Sequence, residues 1–304
     1  MVIRVTNRRK KVKLCREDKI YYAISTTLIT LFFLTVLYPI IYVISASFSS
    51  GRALMSGKVF LWPVDVGFEG YKAVFKHKDI LTGYANTIFY TVVGTFINVS
   101  MTLLGAYPLS RKDLPGRGWI TFFFTFTMFI SGGTIPNYLL VKNLGMMNTR
   151  WAILIPGAIS MYNMLIVRNF MQSNIPGELQ EAAQIDGCND SYYFFKIILP
   201  LSKATIAVIT LYYAVSRWNS YFTALIYLND RNLIPLQLIL REILVNNEVS
   251  FDMLVDPVLQ EKQETLREQL KYALIIVSSL PIMCVYPFIQ KYFVKGVMVG
   301  SIKG

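Results

Sequence analysis

The chain has 304 residues, 54% of them hydrophobic, and a mean hydropathy of +0.45. Soluble domains have an apolar share of about 45–50%, so this composition excludes an ordinary soluble protein and indicates a membrane protein. The formal charge of +12 does not indicate nucleic-acid binding, because the basic residues gather at the ends of apolar runs, where lipid headgroups lie.

The residue types needed for catalysis or metal binding are sparse and scattered. Cys15, Cys188 and Cys284 stand far apart, and the single histidine, His77, lies between two lysines. We therefore predict no disulfide framework, no metal site and no catalytic residue. The sequence contains no GxxxxGK phosphate loop, so we expect that this chain binds no ATP or other cofactor and is not an enzyme.

Six apolar segments are long enough to cross a bilayer, which takes about 20 helical residues. They predict an all-α, polytopic membrane protein that forms a single domain over residues 1–304. The basic arm, 1–19, lacks a signal-peptide cleavage pattern. Together with Arg111, Lys112 and Arg117 in a short turn, it places both termini in the cytosol. The predicted spans are 21–45, 85–107, 119–140, 150–170, 205–228 and 270–289.

The segments between the spans follow from the same count. Residues 49–83 and 143–149 are predicted to be external, as is 229–269, whose last part has helical character. Residues 290–304 form a cytosolic tail. We expect Pro39 to kink the first span, and the breakers Gly132, Gly133 and Pro136 of the third span need covering by neighbouring helices.

The polar segment 173–200 reads as two short helices. We predict that Asn174 caps the first, Pro176 opens it and Gly187 ends it, whereas the second begins at Asn189 or Asp190 and stops at Pro200. Helices this short are marginal alone, and their aromatic side chains need burial. We expect one part of this surface to pack on the membrane helices and another to dock on a different protein.

The same segment carries a specific resemblance. Glu181-Ala182-Ala183, Gly187, Ile197 and Leu199-Pro200 are spaced as in the EAA signature of the membrane subunits of ABC importers. Asp186-Gly187 and the following aromatic run are similar to the carbohydrate-uptake, maltose-type branch. Cys188 and Ala204 depart from the usual alanine and proline. The positions that the resemblance assigns to ATPase coupling are Glu181, Ala182, Ala183, Asp186, Gly187, Tyr193, Phe194, Ile197, Leu199 and Pro200.

This resemblance implies the type I permease fold of ABC importers, with 173–200 as a cytosolic coupling loop. It further implies a second, non-identical permease, two ATP-binding subunits that hold ATP and Mg, and an external or periplasmic sugar-binding protein. The setting would be a bacterial or archaeal cell membrane. We expect Glu181 to form an ion pair with a basic residue of the ATPase.

Arg217, Trp218, Asn219 and Tyr221 lie within the predicted fifth span. A charged side chain there costs about 2.5–3.5 kcal/mol, so Arg217 should face a wet pathway or a partner. In one alternative, these side chains offer donors and a flat apolar face to a sugar. In the other, they bond neighbouring backbone and the partner permease. Tyr162 and Asn163 are further pathway candidates, for which core packing is the favoured alternative.

Two other classes of transporter are alternatives to a sugar importer. An ion-coupled secondary transporter needs an ion site at broken helices, often related by an inverted repeat. Neither such symmetry nor an acidic residue deep in a span is visible in the sequence. An ABC importer permease for a non-sugar solute is the closer alternative, since it would share the EAA signature.

Overall fold

A computed structural model describes residues 15–76, 78–246 and 257–301. The first 14 residues of the predicted basic arm, His77, and the predicted loop and tail positions 247–256 and 302–304 lie outside the described residues. Within the described ranges every regular element is helical, which confirms the predicted all-α class. The elements are α1 (Arg16–Ser47), α2 (Gly51–Met55), α3 (Glu69–Lys76), α4 (Lys78–Ser110), α5 (Arg117–Phe129), α6 (Thr134–Asn143), α7 (Trp151–Leu154), α8 (Met161–Asn174), α9 (Gly177–Ile185), α10 (Asp190–Tyr193), a π-helix (Phe194–Ile198), α11 (Leu199–Leu201), α12 (Lys203–Trp218), α13 (Phe222–Tyr227), a 3-10 turn (Arg231–Leu233), α14 (Leu236–Asn246) and α15 (Pro257–Ser301).

Two of the described helices, α1 and α4, are long and apolar enough to cross a membrane on their own. The number rises to four if each of two bent pairs, α5 with α6 and 190–201 with α12, counts as one span. The most apolar stretch of α1 is entirely unburied within the chain. A helix that is apolar all round and uncovered by its own chain needs lipid or a partner around it. The count of six spans stays a prediction.

Three predicted spans are interrupted. The third bends by 113° between α5 and α6, where Gly133 has φ +86°. The fourth span, predicted over 150–170, is not one helix, because α7 ends at Leu154 and α8 begins only at Met161. Pro156 has no backbone N–H to donate, and Gly157 has φ +68°, a conformation that no α-helix contains. The fifth span, predicted over 205–228, likewise breaks between α12 and α13.

The remaining segments differ from prediction in their helical content. The predicted external loop 49–83 contains α2 and α3, and α4 begins within it. The predicted helical extension of the sixth span is confirmed, since α15 runs without interruption from Pro257. It also continues through Pro281 and Pro287 to Ser301, so most of the predicted tail is helical.

Buried apolar side chains form two main clusters. One joins α3, α4, α7, α13, α14 and α15, with Ile80, Leu236 and Leu274 at its centre. The other joins the second half of α4, α8 and α12 to the segment 173–200 and includes Met164 and Ile209. The second cluster therefore fixes the segment 173–200 against three helices.

Candidate functional site

The first half of the segment 173–200 is the helix α9. Pro176 stands at its N-cap in extended conformation, with φ −60° and ψ 140°, which confirms its place at the opening of the helix. The prediction that Asn174 is the cap is wrong. Asn174 is the last residue of α8, and its side-chain amide donates to the carbonyl of Phe170 at 3.1 Å.

The turn between the two short helices follows from two residues. Gly187 ends α9 with φ +76°, as predicted, in the left-handed region that glycine enters without strain. Asn189 then caps α10, since its side-chain oxygen accepts from the backbone N–H of Tyr192 at 2.7 Å. Local residue chemistry thus ends one helix and starts the next within five residues.

The second half of the segment widens into a π-helix at Phe194–Ile198. Pro200 follows it and lies at the start of α11. Proline has no N–H to donate to the carbonyl four residues earlier, and its ring clashes with that carbonyl, so the preceding turn must loosen. The helix was predicted to stop at Pro200, but it continues to Leu201 and then bends by 81° into α12.

The segment 173–200 has an inner and an outer face. Ala183, Tyr193 and Phe194 are buried, and Ile197 and Leu199 are half-buried against the second cluster. The outer face carries polar and small residues that are all exposed, namely Glu181, Ala182, Asp186, Gly187 and Pro200. It also carries three exposed apolar side chains: Ile185 at 87%, Tyr192 at 54% and Phe195 at 60%. The motif thus supplies both the buried residues that anchor the segment and an exposed surface.

A charged contact fastens the segment to the turn between α4 and α5. Arg111 donates to Asp113 at 2.9 and 2.5 Å, to the Tyr107 hydroxyl at 3.2 Å, and to Asp190 at the start of α10. The Arg111 side chain is only 13% exposed. From the sequence, Arg111 is expected only to orient the chain in the membrane, and nothing there indicates this contact, which joins residues 79 positions apart.

Burial and charge shift three ionisable groups here. The hydrogen bonds from Arg111 hold the pKa of the Asp113 carboxyl below its ordinary value. The same bonds raise the pKa of Arg111 above its own. Burial raises the pKa of the Tyr193 hydroxyl, and the neighbouring Tyr107 raises it further. Arg111 and Asp113 are therefore firmly ionised, and Tyr193 firmly neutral, near neutral pH.

A cleft of about 610 Å³ opens between the α4–α5 turn, the end of α8 and α9. Its polar lining includes Arg111, Arg117, Gln172, Gln180, Glu181 and Gln184. Among the described residues, Glu181 forms no ion pair within the chain, so its carboxylate is free to meet a cation from outside.

Side chains from α4 and α12 satisfy the backbone polar groups where the predicted fourth span breaks. Arg217 donates to the carbonyls of Ile153 and Leu154 at 2.5 and 3.2 Å, and to Asn98 Oδ1 at 3.0 Å. Asn98 Nδ2 in turn donates to the carbonyls of Gly157 and Ala158 at 3.1 and 2.7 Å. Because non-helical backbone at membrane depth needs such partners, these contacts favour the alternative in which Arg217 bonds neighbouring backbone and does not contact a sugar.

The other pathway candidates do not converge on one site. Trp218 is buried, donates from Nε1 to the carbonyl of Ser278 at 3.0 Å and lies edge-on to Tyr84. Its face is therefore covered. Asn219 is exposed and donates to the carbonyl of Val215 at 2.9 Å, whereas Tyr221 is 41% exposed.

The two pathway candidates on α8 differ in their exposure to solvent. Tyr162 is exposed and Asn163 is buried. Tyr213 was not among the predicted site residues; its hydroxyl bonds Thr102 Oγ1 at 2.6 Å and accepts from the backbone N–H of Ser160 at 3.0 Å. A tyrosine in an apolar run gave no signal of this contact.

Comparison with known proteins gives a match over nearly the whole chain. Residues 16–299 match the family model described as "Binding-protein-dependent transport system inner membrane component". The chain belongs to this family. The predicted resemblance to ABC importer permeases is thereby confirmed, and the permease is a membrane-spanning transport subunit that works in a complex in the cell membrane.

Two curated relatives from Bacillus subtilis (strain 168) resemble the permease over most of their length. The "Polygalacturonan/rhamnogalacturonan transport system permease protein YtcP" is 44% identical over 275 residues, which cover 90% of this chain and 95% of that protein. "Protein LplC" is 40% identical over 269 residues, which cover 88% and 89%.

A solved structure has the same fold. One chain of the "Crystal structure of a bacterial ABC transporter involved in the import of the acidic polysaccharide alginate" matches with a TM-score of 0.83 and 39% identity. The match covers 92% of the permease and 99% of that chain. The predicted ABC importer permease fold is therefore confirmed.

Proposed function

We propose that this permease imports carbohydrate, most specifically oligosaccharide, and that its segment 173–200 couples transport to ATP hydrolysis by separate subunits. The observation that carries the proposal is the two-faced build of this segment. Its inner face is fixed in the second cluster, while Ile185, Tyr192 and Phe195 remain uncovered. The same segment carries Glu181, which has no ion pair among the described residues. Exposed apolar side chains and a charged group on one surface are typical of an interface with a partner protein.

The proposed complex contains this chain, a second and non-identical permease, two ATP-binding subunits and an external sugar-binding protein. ATP and Mg are held by the ATP-binding subunits. When these subunits close on ATP, their grooves move the coupling loops, and the spans open a path toward the binding protein. Hydrolysis then returns the path to the cytosolic side. Glu181 pairs with a basic residue of the ATPase.

The topology that we propose has six spans and both termini in the cytosol. Residues 1–19 form the cytosolic arm, 173–200 the coupling loop, 229–269 an external loop and 290–304 the cytosolic tail. The carbohydrate substrate is supported by the relative named for polygalacturonan and rhamnogalacturonan transport and by the likeness to the alginate importer.

The coupling face is tested by Ile185→Asp, because an unpaired carboxylate in a buried interface opposes binding. We expect ATPase recovered with the purified permease to fall by about 30-fold, as for a hot-spot contact of about 2 kcal/mol. Trp62→Asp is the matched control, since Trp62 is also strongly exposed but lies in the proposed external loop. Equal ATPase recovery from both variants, at equal membrane abundance, would remove the proposed coupling face.

The substrate class is tested by uptake into cells that lack the chromosomal copy. Labelled oligosaccharides from polygalacturonan, rhamnogalacturonan and alginate are compared with labelled amino acids and phosphate. We expect uptake of at least one oligosaccharide to depend on the permease. Dependence of amino-acid or phosphate uptake alone would favour the non-sugar importer.

A further inference from the structure

The contact between Arg111 and Asp190 gives the coupling loop a non-covalent connection to the membrane helices besides its covalent ones. The loop is joined covalently to α8 at its start and, through Ser202, to α12 at its end. The non-covalent one runs from α10 to the cytosolic end of α4, through the side chain of Arg111. We propose that Arg111 is a positioning residue for coupling, which makes α4 follow the loop together with α12. This inference rests on the proposed coupling function.

The geometry of Arg111 suits this role because one guanidinium bonds two acids with different positions in the chain. Asp113 lies in the same turn, two residues away, and fixes the plane of the guanidinium with two hydrogen bonds. Asp190 belongs to the coupling loop. A planar fork held on one side is pre-organised for the acceptor on its other side.

Apolar contact reinforces the charged contact. The ring of Tyr107, near the end of α4, lies 5.0 Å from the ring of Phe194 between centroids, and Phe194 is buried. The Arg111 guanidinium also lies over the Tyr107 ring at 5.9 Å. The end of α4 and the turn after it therefore contact both α10 and the π-helix that follows it.

The path through Ser202 into α12 and the path through Arg111 to α4 meet again deeper in the fold, since α4 and α12 pack along each other. Thr102 of α4 and Tyr213 of α12 share a hydrogen bond of 2.6 Å, and both residues are buried. Without the Arg111 contact, the loop would move α12 directly but α4 only through this packing and the apolar contact between Tyr107 and Phe194. Loss of the contact should therefore weaken the transmission of movement.

A purely structural role makes a different prediction. Asp190 is 68% exposed on its side chain, and exposed ion pairs contribute little to stability. Asp190→Asn should therefore leave folding and abundance nearly unchanged, so an effect on coupling would not be a consequence of unfolding.

The test uses the whole complex in liposomes, with its ATPase and its binding protein, and measures ATP hydrolysed per molecule of oligosaccharide transported. For Asp190→Asn we expect this ratio to rise about fivefold, the lower end of typical coupling between distinct sites. Asp190→Glu, which keeps the carboxylate, should restore most of the coupling. Glu178→Gln is the matched control, because it neutralises an exposed acid of the same segment that does not bond Arg111, and it should raise the ratio much less.

Two results would overturn the inference. One is an unchanged ratio in Asp190→Asn with the complex intact. The other is an equal rise in Asp190→Asn and Glu178→Gln, which would assign the effect to the charge of the segment 173–200 and not to the connection. A wild-type permease that recruits no ATPase would overturn the proposed function as well, so the two failures are distinguishable.

Discussion

Replacing Arg217 with alanine removes the side chain that joins α12 to α4 and to the end of α7. Three acceptors lose their donor: Asn98 Oδ1 and the carbonyls of Ile153 and Leu154. A buried polar group left without a partner costs about 1–3 kcal/mol, so the three together cost at least about 3 kcal/mol. Gly94 lies close to Arg217 and has no side chain of its own, so shortening Arg217 to alanine leaves a gap between the two positions.

The assay is heat denaturation of the purified permease, read as the fraction that stays monodisperse. We expect Arg217→Ala to denature at clearly lower temperature than wild type. Asn219→Ala is the control, since Asn219 is exposed and, among the described residues, bonds only within its own helix end. It should change stability by no more than about 0.5 kcal/mol. An Arg217→Ala protein that resists heat like wild type, yet loses uptake of particular sugars, would refute the structural role and favour a cargo contact.

Three further predictions concern the segment 173–200 and its neighbouring turn. Gly187 has φ +76°, and an added Cβ there would meet no atom. Gly187→Val should therefore lower the free energy of unfolding by about 1–2 kcal/mol through backbone strain alone, whereas asparagine tolerates this conformation. ATPase recovery should then be lower for Gly187→Val than for Gly187→Asn, and the reverse order would contradict the argument. Phe194→Ala should lower the free energy of unfolding by about 3–5 kcal/mol because the ring is buried. Phe195→Ala is the matched control, because Phe195 is exposed. Equal heat sensitivity in both alanine variants would contradict the assigned inner face. Since the pKa of Asp113 is lower in the folded protein, its contribution to stability is complete above about pH 3.9, the unfolded value, and disappears as pH falls through the folded value. Acid denaturation of wild type and Asp113→Asn should therefore converge only in that acid range, and a difference that changes between pH 6 and 8 would contradict this cause.

Local chemistry explains which features could be predicted from the sequence. The helix end at Gly187 and the cap at Asn189 depend on residues within one turn, so the residue types alone indicated them. The helical class followed from the length of the apolar runs. Asn174 failed as a cap because α8 extends to it from the preceding span, and apolar periodicity does not define where such a helix ends.

The features that could not be predicted depend on contacts between distant residues. Pro156 and Gly157 were visible in the sequence, but a break there is stable only because Asn98 and Arg217, from two other helices, bond the freed carbonyls. The Arg111–Asp190 contact has the same origin, since neither residue carries a motif that points to the other. Spacing along the chain contains no information on such pairs.

The corner at Ser202 has a mechanical consequence. The helical stretch 190–201 and α12 meet at 81°, nearly a right angle. A push along the first would therefore act across the axis of the second, whose 16 residues are about 24 Å long. A tilt of α12 about this corner would displace its far end most, and that end is where Arg217 bonds the interrupted backbone after α7.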